Sequence, residues 1–100
     1  MVEYEVEVSP LFQEKLKELD NGVRIRAKKE LINLPNRNHK IEALKHELIG
    51  FYSHHFWNNK YRIIYTIEGN ILKILALWIG KKNDNFYKDV KKYIKKIKKL

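Results

Sequence analysis

The sequence has no cysteine, and its 100 residues include only 4 glycines and 2 prolines. The lack of cysteine excludes a disulfide framework, cysteine-ligated zinc, iron–sulfur clusters and a thiolate nucleophile. No stretch approaches the ~18 apolar residues of a membrane-spanning helix. The opening segment MVEYEVEVSP has neither the basic nor the apolar region of a signal peptide. We therefore expect a cytoplasmic protein with no membrane partner.

Hydrophobic residues make up 44% of the chain and charged residues 33%. This composition is typical of a globular protein with enough apolar material for a core. The length is that of one compact domain, because two halves would each be too small to hold a core. We expect residues 1–100 to form a single domain.

The net charge is +9, and it is unevenly distributed. Residues 1–20 carry six acidic side chains and two lysines, whereas residues 81–100 carry nine lysines and two aspartates. Clustered lysines are typical of a nucleic-acid-binding protein or of one with an acidic partner. A solvated lysine-rich surface is the alternative that composition leaves open.

Residue periodicity predicts the order β-α-α-β-β-β-α. Residues 2–8 alternate apolar and acidic side chains, which predicts a strand, and Ser9-Pro10 begins a helical hairpin that continues to Leu34. Three apolar segments predict strands at 48–57, 61–67 and 71–79. A lysine-rich segment at 86–97 has apolar residues at helical spacing and predicts a closing helix. Tight turns make the last three strands antiparallel, and the first strand can add at an edge of their sheet. The expected fold class is therefore α+β.

Residues 44–87 resemble the RelE/ParE toxin superfamily of bacterial and archaeal toxin–antitoxin pairs. In this segment a Leu-x-Gly-aromatic strand, a Tyr-Arg-aliphatic-aliphatic-Tyr strand and a Gly-basic-x-x-x-x-Tyr ending follow in family order. The stretch EALKHELIGFYSHHF, residues 42–56, is similar to the YoeB-like branch. The resemblance implies a four-stranded twisted antiparallel sheet, with the helical hairpin on one face and a C-terminal helix.

The resemblance also implies a type II toxin. RelE-like members are metal-free endoribonucleases that cut mRNA in the ribosomal A site through attack of a ribose 2′-hydroxyl on the adjacent phosphate. Such chemistry needs a base, cations for the charged phosphorane and an acid for the leaving oxygen. The implied partners are the ribosome, mRNA and a RelB-like antitoxin that binds an otherwise monomeric toxin. A ParE-like inhibitor of DNA gyrase and a catalytically degenerate binding member are the alternatives.

Arg62 lies in the Tyr-Arg strand motif, where the family keeps a phosphate-binding arginine. A structural ion pair, with an acid of the first strand, is the alternative for this residue. Tyr87 matches the tyrosine that ends the family motif. Lys82 follows Gly80 where active relatives carry arginine or histidine, and the sequence leaves open whether Lys82 or Lys81 faces the site.

Two further candidates concern proton transfer. Strand alternation groups Ser53, His55 and Trp57 on one face and turns His54 to the other. His55 is therefore the candidate for acid–base catalysis or phosphate binding, and a structural histidine is its alternative. Glu42 matches the general base of the YoeB-like branch, with a solvated connector residue as its alternative.

The remaining basic candidates are assigned to RNA binding: Lys45, His46, Lys81 and Lys88. The four histidines have neither the His-x-x-x-His spacing nor the neighbouring acidic cluster of a metal site. We expect no metal and no cofactor.

Overall fold

The predicted order of strands and helices is confirmed, with one additional short helix before the second strand. The computed structural model describes residues 5–69 and 73–98. Its elements are β1 Glu5–Val8, α1 Pro10–Lys17, α2 Asn21–Asn33, α3 His39–Glu42, β2 Phe51–Phe56, β3 Tyr61–Glu68, β4 Lys73–Lys81 and α4 Phe86–Lys98. Residues 2–4, Asn70 and Ile71, which the sequence assigned to strands and a turn, lie outside the described residues.

The four strands form one sheet in the order β1-β4-β3-β2. Strands β2, β3 and β4 pair antiparallel as predicted, but β1 runs parallel to β4, from Glu5 opposite Lys73 to Val8 opposite Ala76. The prediction of an entirely antiparallel sheet is therefore wrong at this edge. The helical hairpin separates β1 from the other strands, so no tight turn fixes its direction. The α+β fold class is confirmed, with a mixed sheet.

Helices cover both faces of the sheet. Helices α1 and α2 pack on one face through an apolar cluster that includes Phe12, Ala27, Leu34, Ile63, Tyr65 and Ile79. Helix α4 packs on the opposite face through Phe86, Val90 and Ile94, against Leu48 and Ile64. These helix residues belong to the apolar stripes that the sequence predicted. None of the helices in the described ranges is long and apolar enough to cross a membrane.

The segment between α2 and β2 contains a short helix and a 3₁₀ turn. The Asn38 side chain accepts a hydrogen bond from the Lys40 backbone nitrogen (3.2 Å), which caps α3. A 3₁₀ turn, His46–Leu48, follows, and Leu48 is buried there rather than in a strand. The Leu44 nitrogen donates to the Phe51 carbonyl oxygen (2.9 Å), so this segment runs along the free edge of β2.

The turn between β2 and β3 has an unusual backbone. Trp57, Asn58 and Asn59 all have positive φ angles of 54°, 55° and 65°. Asparagine tolerates this region better than most residues, which accounts for the Asn-Asn pair. Trp57 leaves the strand here and its ring lies near Gly22 of α2, so its predicted place beside His55 is wrong. The Lys60 carbonyl accepts from the Lys82 nitrogen (2.7 Å), which ties the turn to the end of β4.

Ser9 connects the sheet to the first helix and gives a test of the fold. Its hydroxyl accepts from the Phe12 nitrogen (3.1 Å) as the N-cap of α1 and donates to the Leu77 carbonyl oxygen (3.2 Å). We expect Ser9→Ala to lower the free energy of unfolding by about 1–2 kcal/mol, measured by urea denaturation. Ser9→Thr, which keeps the hydroxyl, should stay near wild type. Equal losses in both variants would contradict the capping role.

Candidate active site

An open cleft of about 390 Å³ lies on the α4 side of the sheet, beside the β2 edge. The wall of the cleft is the segment that runs along that edge. The floor of the cleft is formed by the sheet and the start of α4. The lining residues are Arg37, Ile41, Glu42, Ala43, Leu44, Ser53, His55, Asn59, Arg62 and Tyr87. Four of the five predicted catalytic residues, separated by up to 45 positions in the sequence, therefore meet in one cleft.

Strand pairing explains how the floor of the cleft is built. His55 on β2 is directly opposite Arg62 on β3, so both side chains lie on the same face. Ser53, two residues before His55, shares that face because side chains alternate along a strand. His54 points to the opposite face, where the helical hairpin packs. The alternation predicted for residues 53–55 is confirmed.

Arg62 is a half-buried cation at the centre of the cleft. Its Nη1 donates to the Tyr87 hydroxyl oxygen (2.5 Å), and its Nε is buried without a hydrogen-bond partner. Among the residues that the structure describes, no carboxylate forms an ion pair with Arg62, so the predicted alternative of a structural ion pair is not observed. A guanidinium cannot lose its charge under ordinary conditions. This arrangement suits an anionic ligand.

Tyr87 is oriented from two sides. Phe86 is buried against the sheet, and Tyr87, the next residue of α4, is directed into the cleft. Its hydroxyl accepts from Arg62 and lies 3.1 Å from the hydroxyl of the buried Ser53. Strand alternation predicted that Ser53 shares the face of His55 but indicated no role for it. The structure shows that its hydroxyl helps to hold the tyrosine at the cation.

His55 is exposed at the cleft, next to positive charges. Desolvation and the charge of Arg62 lower its pKa below the ordinary value, and Lys82 adds a smaller effect in the same direction. In the protein without RNA, the His55 imidazole is therefore mainly neutral at pH 7 and able to accept a proton.

Lys81 is the last residue of β4, and Lys82 follows it. Lys82 is close enough to His55 for its charge to help lower the pKa of that side chain, but it does not line the cleft. Lys81 instead lines a separate depression with Lys15, Glu18 and Asp89. The other candidates for RNA binding, Lys45, His46 and Lys88, are exposed but do not line the cleft.

Glu42 is buried in the cleft wall, and both of its carboxylate oxygens are occupied. Oε1 accepts from the Tyr65 hydroxyl (2.6 Å), and Oε2 accepts from Arg37 Nε (3.2 Å) and lies 2.7 Å from His54 Nδ1. The other ring nitrogen of His54 lies 2.7 Å from Oε1 of Glu30 on α2. Because each nitrogen meets a carboxylate oxygen, both must donate, and the ring is an imidazolium.

The pKa shifts agree with this assignment. Burial by itself would lower the pKa of His54, but the hydrogen bonds to Glu42 and Glu30 outweigh burial and raise it. Burial by itself would raise the pKa of Glu42, but the hydrogen bonds from His54, Tyr65 and Arg37 lower it. We call Glu30, His54 and Glu42 the buried charge triad. Within residues 5–69 and 73–98, no group of three or more acidic or histidine side chains could hold a metal ion.

No sequence pattern predicted the complete triad, although Glu30 gave one signal. Glu30 falls on the buried stripe of α2, three residues after Ala27 and four before Leu34. An acidic side chain on a buried helix face requires a cationic or hydrogen-bonding partner. His54, on the strand face that this helix covers, is that partner.

Comparison with solved structures identifies the fold as that of RelE toxins. The RelBE2 toxin–antitoxin complex from Mycobacterium tuberculosis matches with a TM-score of 0.73 at 19% identity, covering 81% of this chain and 100% of that chain. The isolated RelE toxin of E. coli matches with a TM-score of 0.68 at 19% identity, covering 92% and 99%. The archaeal RelE-RelB complex from Pyrococcus horikoshii matches at 0.54 and 19% identity, covering 81% and 97%.

The sequence itself defines the family. Residues 6–84 match the family described as the ParE toxin of the type II toxin-antitoxin system parDE. This chain belongs to that family, and thus to the RelE/ParE superfamily of type II toxins. No curated protein sequence matches it significantly.

The buried charge triad predicts a pH dependence of stability. Because folding raises the pKa of His54, its stabilising contribution is full below pH about 6.5 and is lost as the pH rises through the folded-state pKa. We expect the free energy of unfolding of Glu30→Gln, which leaves one carboxylate on His54, to fall less over this range than that of wild type. Urea titrations at several pH values measure both.

Glu14→Gln removes an exposed carboxylate of α1 and is the matched control, which should keep the wild-type dependence. His39 and His55 have lowered pKa values and therefore lose their contributions as the pH falls, but they are common to all three proteins. A Glu30→Gln profile parallel to that of wild type would contradict a charged His54.

Proposed function

We propose that this toxin is a ribosome-dependent endoribonuclease that cleaves mRNA in the A site without a metal ion. The observation that carries the proposal is Arg62, a half-buried cation without a carboxylate partner, joined to Tyr87 and facing His55. RNA cleavage through the 2′-hydroxyl places extra negative charge on the phosphorus centre. Fixed cations in a partly desolvated cleft stabilise that charge more effectively than water does.

In the proposed reaction the 2′-oxygen attacks the adjacent phosphorus and the bond to the 5′-oxygen breaks. The neutral His55 accepts the 2′-hydroxyl proton, and the leaving 5′-oxygen takes a proton from water in the open cleft, giving a 2′,3′-cyclic phosphate and a 5′-hydroxyl. The protonated His55 then returns its proton to water. Arg62 and Lys82 neutralise the phosphorane, and the Tyr87 hydroxyl orients the reacting ribose or phosphate. The open cleft has few groups to align RNA, so positioning by the ribosome supplies the in-line geometry.

Glu42 receives a different role from the general base that its sequence match implied. A base needs a free lone pair directed at the proton that it removes, but three hydrogen-bonding partners already contact the two Glu42 oxygens and leave one of about four lone-pair positions. Its lowered pKa also reduces its affinity for a proton. We infer that Glu42 positions the cleft wall, and that His55 is the base.

A second candidate function is inhibition of DNA gyrase, which the match to the ParE family favours. Such a function requires a protein-binding surface and not the proton-transfer geometry of His55 and Arg62. The two functions therefore differ in which variants abolish toxicity.

The proposed partners follow from charge and fold. The net charge of +9 favours an acidic protein partner as well as RNA. The M. tuberculosis and P. horikoshii structures of this fold are complexes with their antitoxins. We infer that a RelB-like antitoxin neutralises this toxin in the cytoplasm, and that the free toxin is a monomer.

The function is tested by primer extension on a defined mRNA in a translating extract. We expect cleavage only at ribosome-occupied A-site codons, a loss of about hundredfold or more in Arg62→Ala, and a smaller loss in Tyr87→Phe, which removes only the orienting hydroxyl. Arg24→Ala removes an arginine outside the cleft and serves as the charge control. Intact mRNA together with trapped gyrase would assign the protein to the second function.

Dependence of the cleavage rate on pH separates His55 from Glu42. We expect His55→Gln to reduce kcat/KM by about 10²–10⁴-fold and to abolish the acidic limb of the pH profile, whose midpoint lies below pH 6.5 because the pKa of His55 is lowered. Glu42→Gln should keep that limb. An acidic limb that disappears in Glu42→Gln and persists in His55→Gln would restore Glu42 as the base.

A further inference from the structure

Arg37 lines the cleft on the wall that runs along the β2 edge, and no sequence pattern pointed to it. It follows the 3₁₀ turn Leu34–Asn36, and Pro35 in that turn ends the helical hairpin. The Arg37 side chain is 50% exposed, whereas the carboxylate of Glu42 beneath it is almost completely buried. The half-exposed guanidinium of Arg37 is therefore paired with the buried carboxylate of Glu42.

The hydrogen-bond pattern fixes the direction of the Arg37 guanidinium. Only its Nε contacts Glu42, at 3.2 Å, and none of the hydrogen bonds within the described residues uses its two terminal nitrogens. Glu42 is held in turn by Tyr65 and by His54. The inner edge of the guanidinium is thus anchored, and its outer edge, which carries four N–H donors, is available at the cleft.

Charge balance shows why the ion pair with Glu42 leaves a net positive charge beside the cleft. In the buried charge triad, the imidazolium of His54 is shared between Glu30 and Glu42, and Arg26 adds a second cation at Glu30 (3.1 Å). Two carboxylates therefore face three cations once Arg37 is included. The cluster keeps a positive charge, and Arg37 is its member at the cleft surface.

We propose that Arg37 binds a second phosphate of the RNA backbone, next to the phosphate held by Arg62. Arg37 on the wall and Arg62 on the floor line one cleft, so a single RNA strand bound there contacts both. Guanidinium groups suit this task because parallel N–H donors match phosphate oxygens. This inference rests on the proposed function, since it assigns the RNA strand to the same cleft. Glu42 acts through Arg37 as a positioning residue.

The test measures single-turnover cleavage of mRNA on programmed ribosomes as a function of toxin concentration. A contact to a phosphate next to the reacting one is equally strong in the bound substrate and in the transition state. Arg37→Ala should therefore raise the half-saturating toxin concentration about tenfold and change the maximal cleavage rate by less than about twofold. Arg37→Lys should recover part of the loss. Arg24→Ala removes the same charge from α2, outside the cleft, and should match wild type.

A second readout needs neither cleavage nor ribosomes. The full chain is titrated against a fluorescent single-stranded RNA that is 2′-O-methylated throughout, at several salt concentrations. Loss of one phosphate contact should reduce the slope of log K against log salt by about 0.7 in Arg37→Ala but not in Arg24→Ala. A merely structural role for Arg37 would not change this slope selectively, and thermal unfolding of each variant verifies that it is folded.

The two readouts separate failure of the inference from failure of the proposed function. Cleavage by wild type, with Arg37→Ala indistinguishable from Arg24→Ala in both readouts, would overturn the phosphate contact and leave the nuclease in place. RNA binding that depends on Arg37, without any cleavage, would support the contact and overturn the nuclease. Absence of both binding and cleavage would overturn both.

Discussion

The hydrogen bonds of the buried His54 with Glu30 and Glu42 are the interaction on which the rest of the cleft depends. They join α2 to β2 and to α3, and through Glu42 they reach Tyr65 and Arg37. A buried charge left without its partner is strongly unfavourable, so each member of the triad constrains the others. The same contacts that attach the helical hairpin to the sheet therefore hold one wall of the cleft against its floor.

The floor of the cleft, unlike the buried charge triad, holds a cation without a carboxylate partner. Arg62 supplies positive charge there, and within the described residues no ion pair neutralises it. The helix-covered face of β2 therefore pairs its carboxylates with cations, whereas the cleft face leaves Arg62 without a carboxylate. Because side chains alternate along β2, His54 and His55 lie on opposite faces of the sheet. His54 is the structural histidine, and His55 is the candidate proton acceptor. The neighbouring residues differ in protonation because one lies between two carboxylates and the other lies beside Arg62.

Local sequence patterns predicted most of the fold and part of the site. The alternation at 53–55 and the helical stripe from Phe86 correctly placed His55 and the start of α4, because these patterns depend on neighbours within a few residues. The direction of β1 was predicted wrongly and the triad was not predicted, since both depend on contacts between residues far apart in sequence. Arg37 was not predicted because its place in the cleft depends on how its segment packs along the β2 edge. A family match could suggest Glu42, but only the fold reveals that hydrogen bonds occupy both of its oxygens.

The most direct test of the central claim, that the cleft is the RNA site, is an NMR titration of the protein with a short 2′-O-methylated RNA. The Nε–H of Arg62 is buried and has no hydrogen-bond partner, so its resonance reports directly on an arriving phosphate. The account predicts large shifts at Arg62, Tyr87 and His55, with saturation at one RNA per chain. Unchanged Arg62 signals, with shifts confined to the lysines of α4, would contradict it.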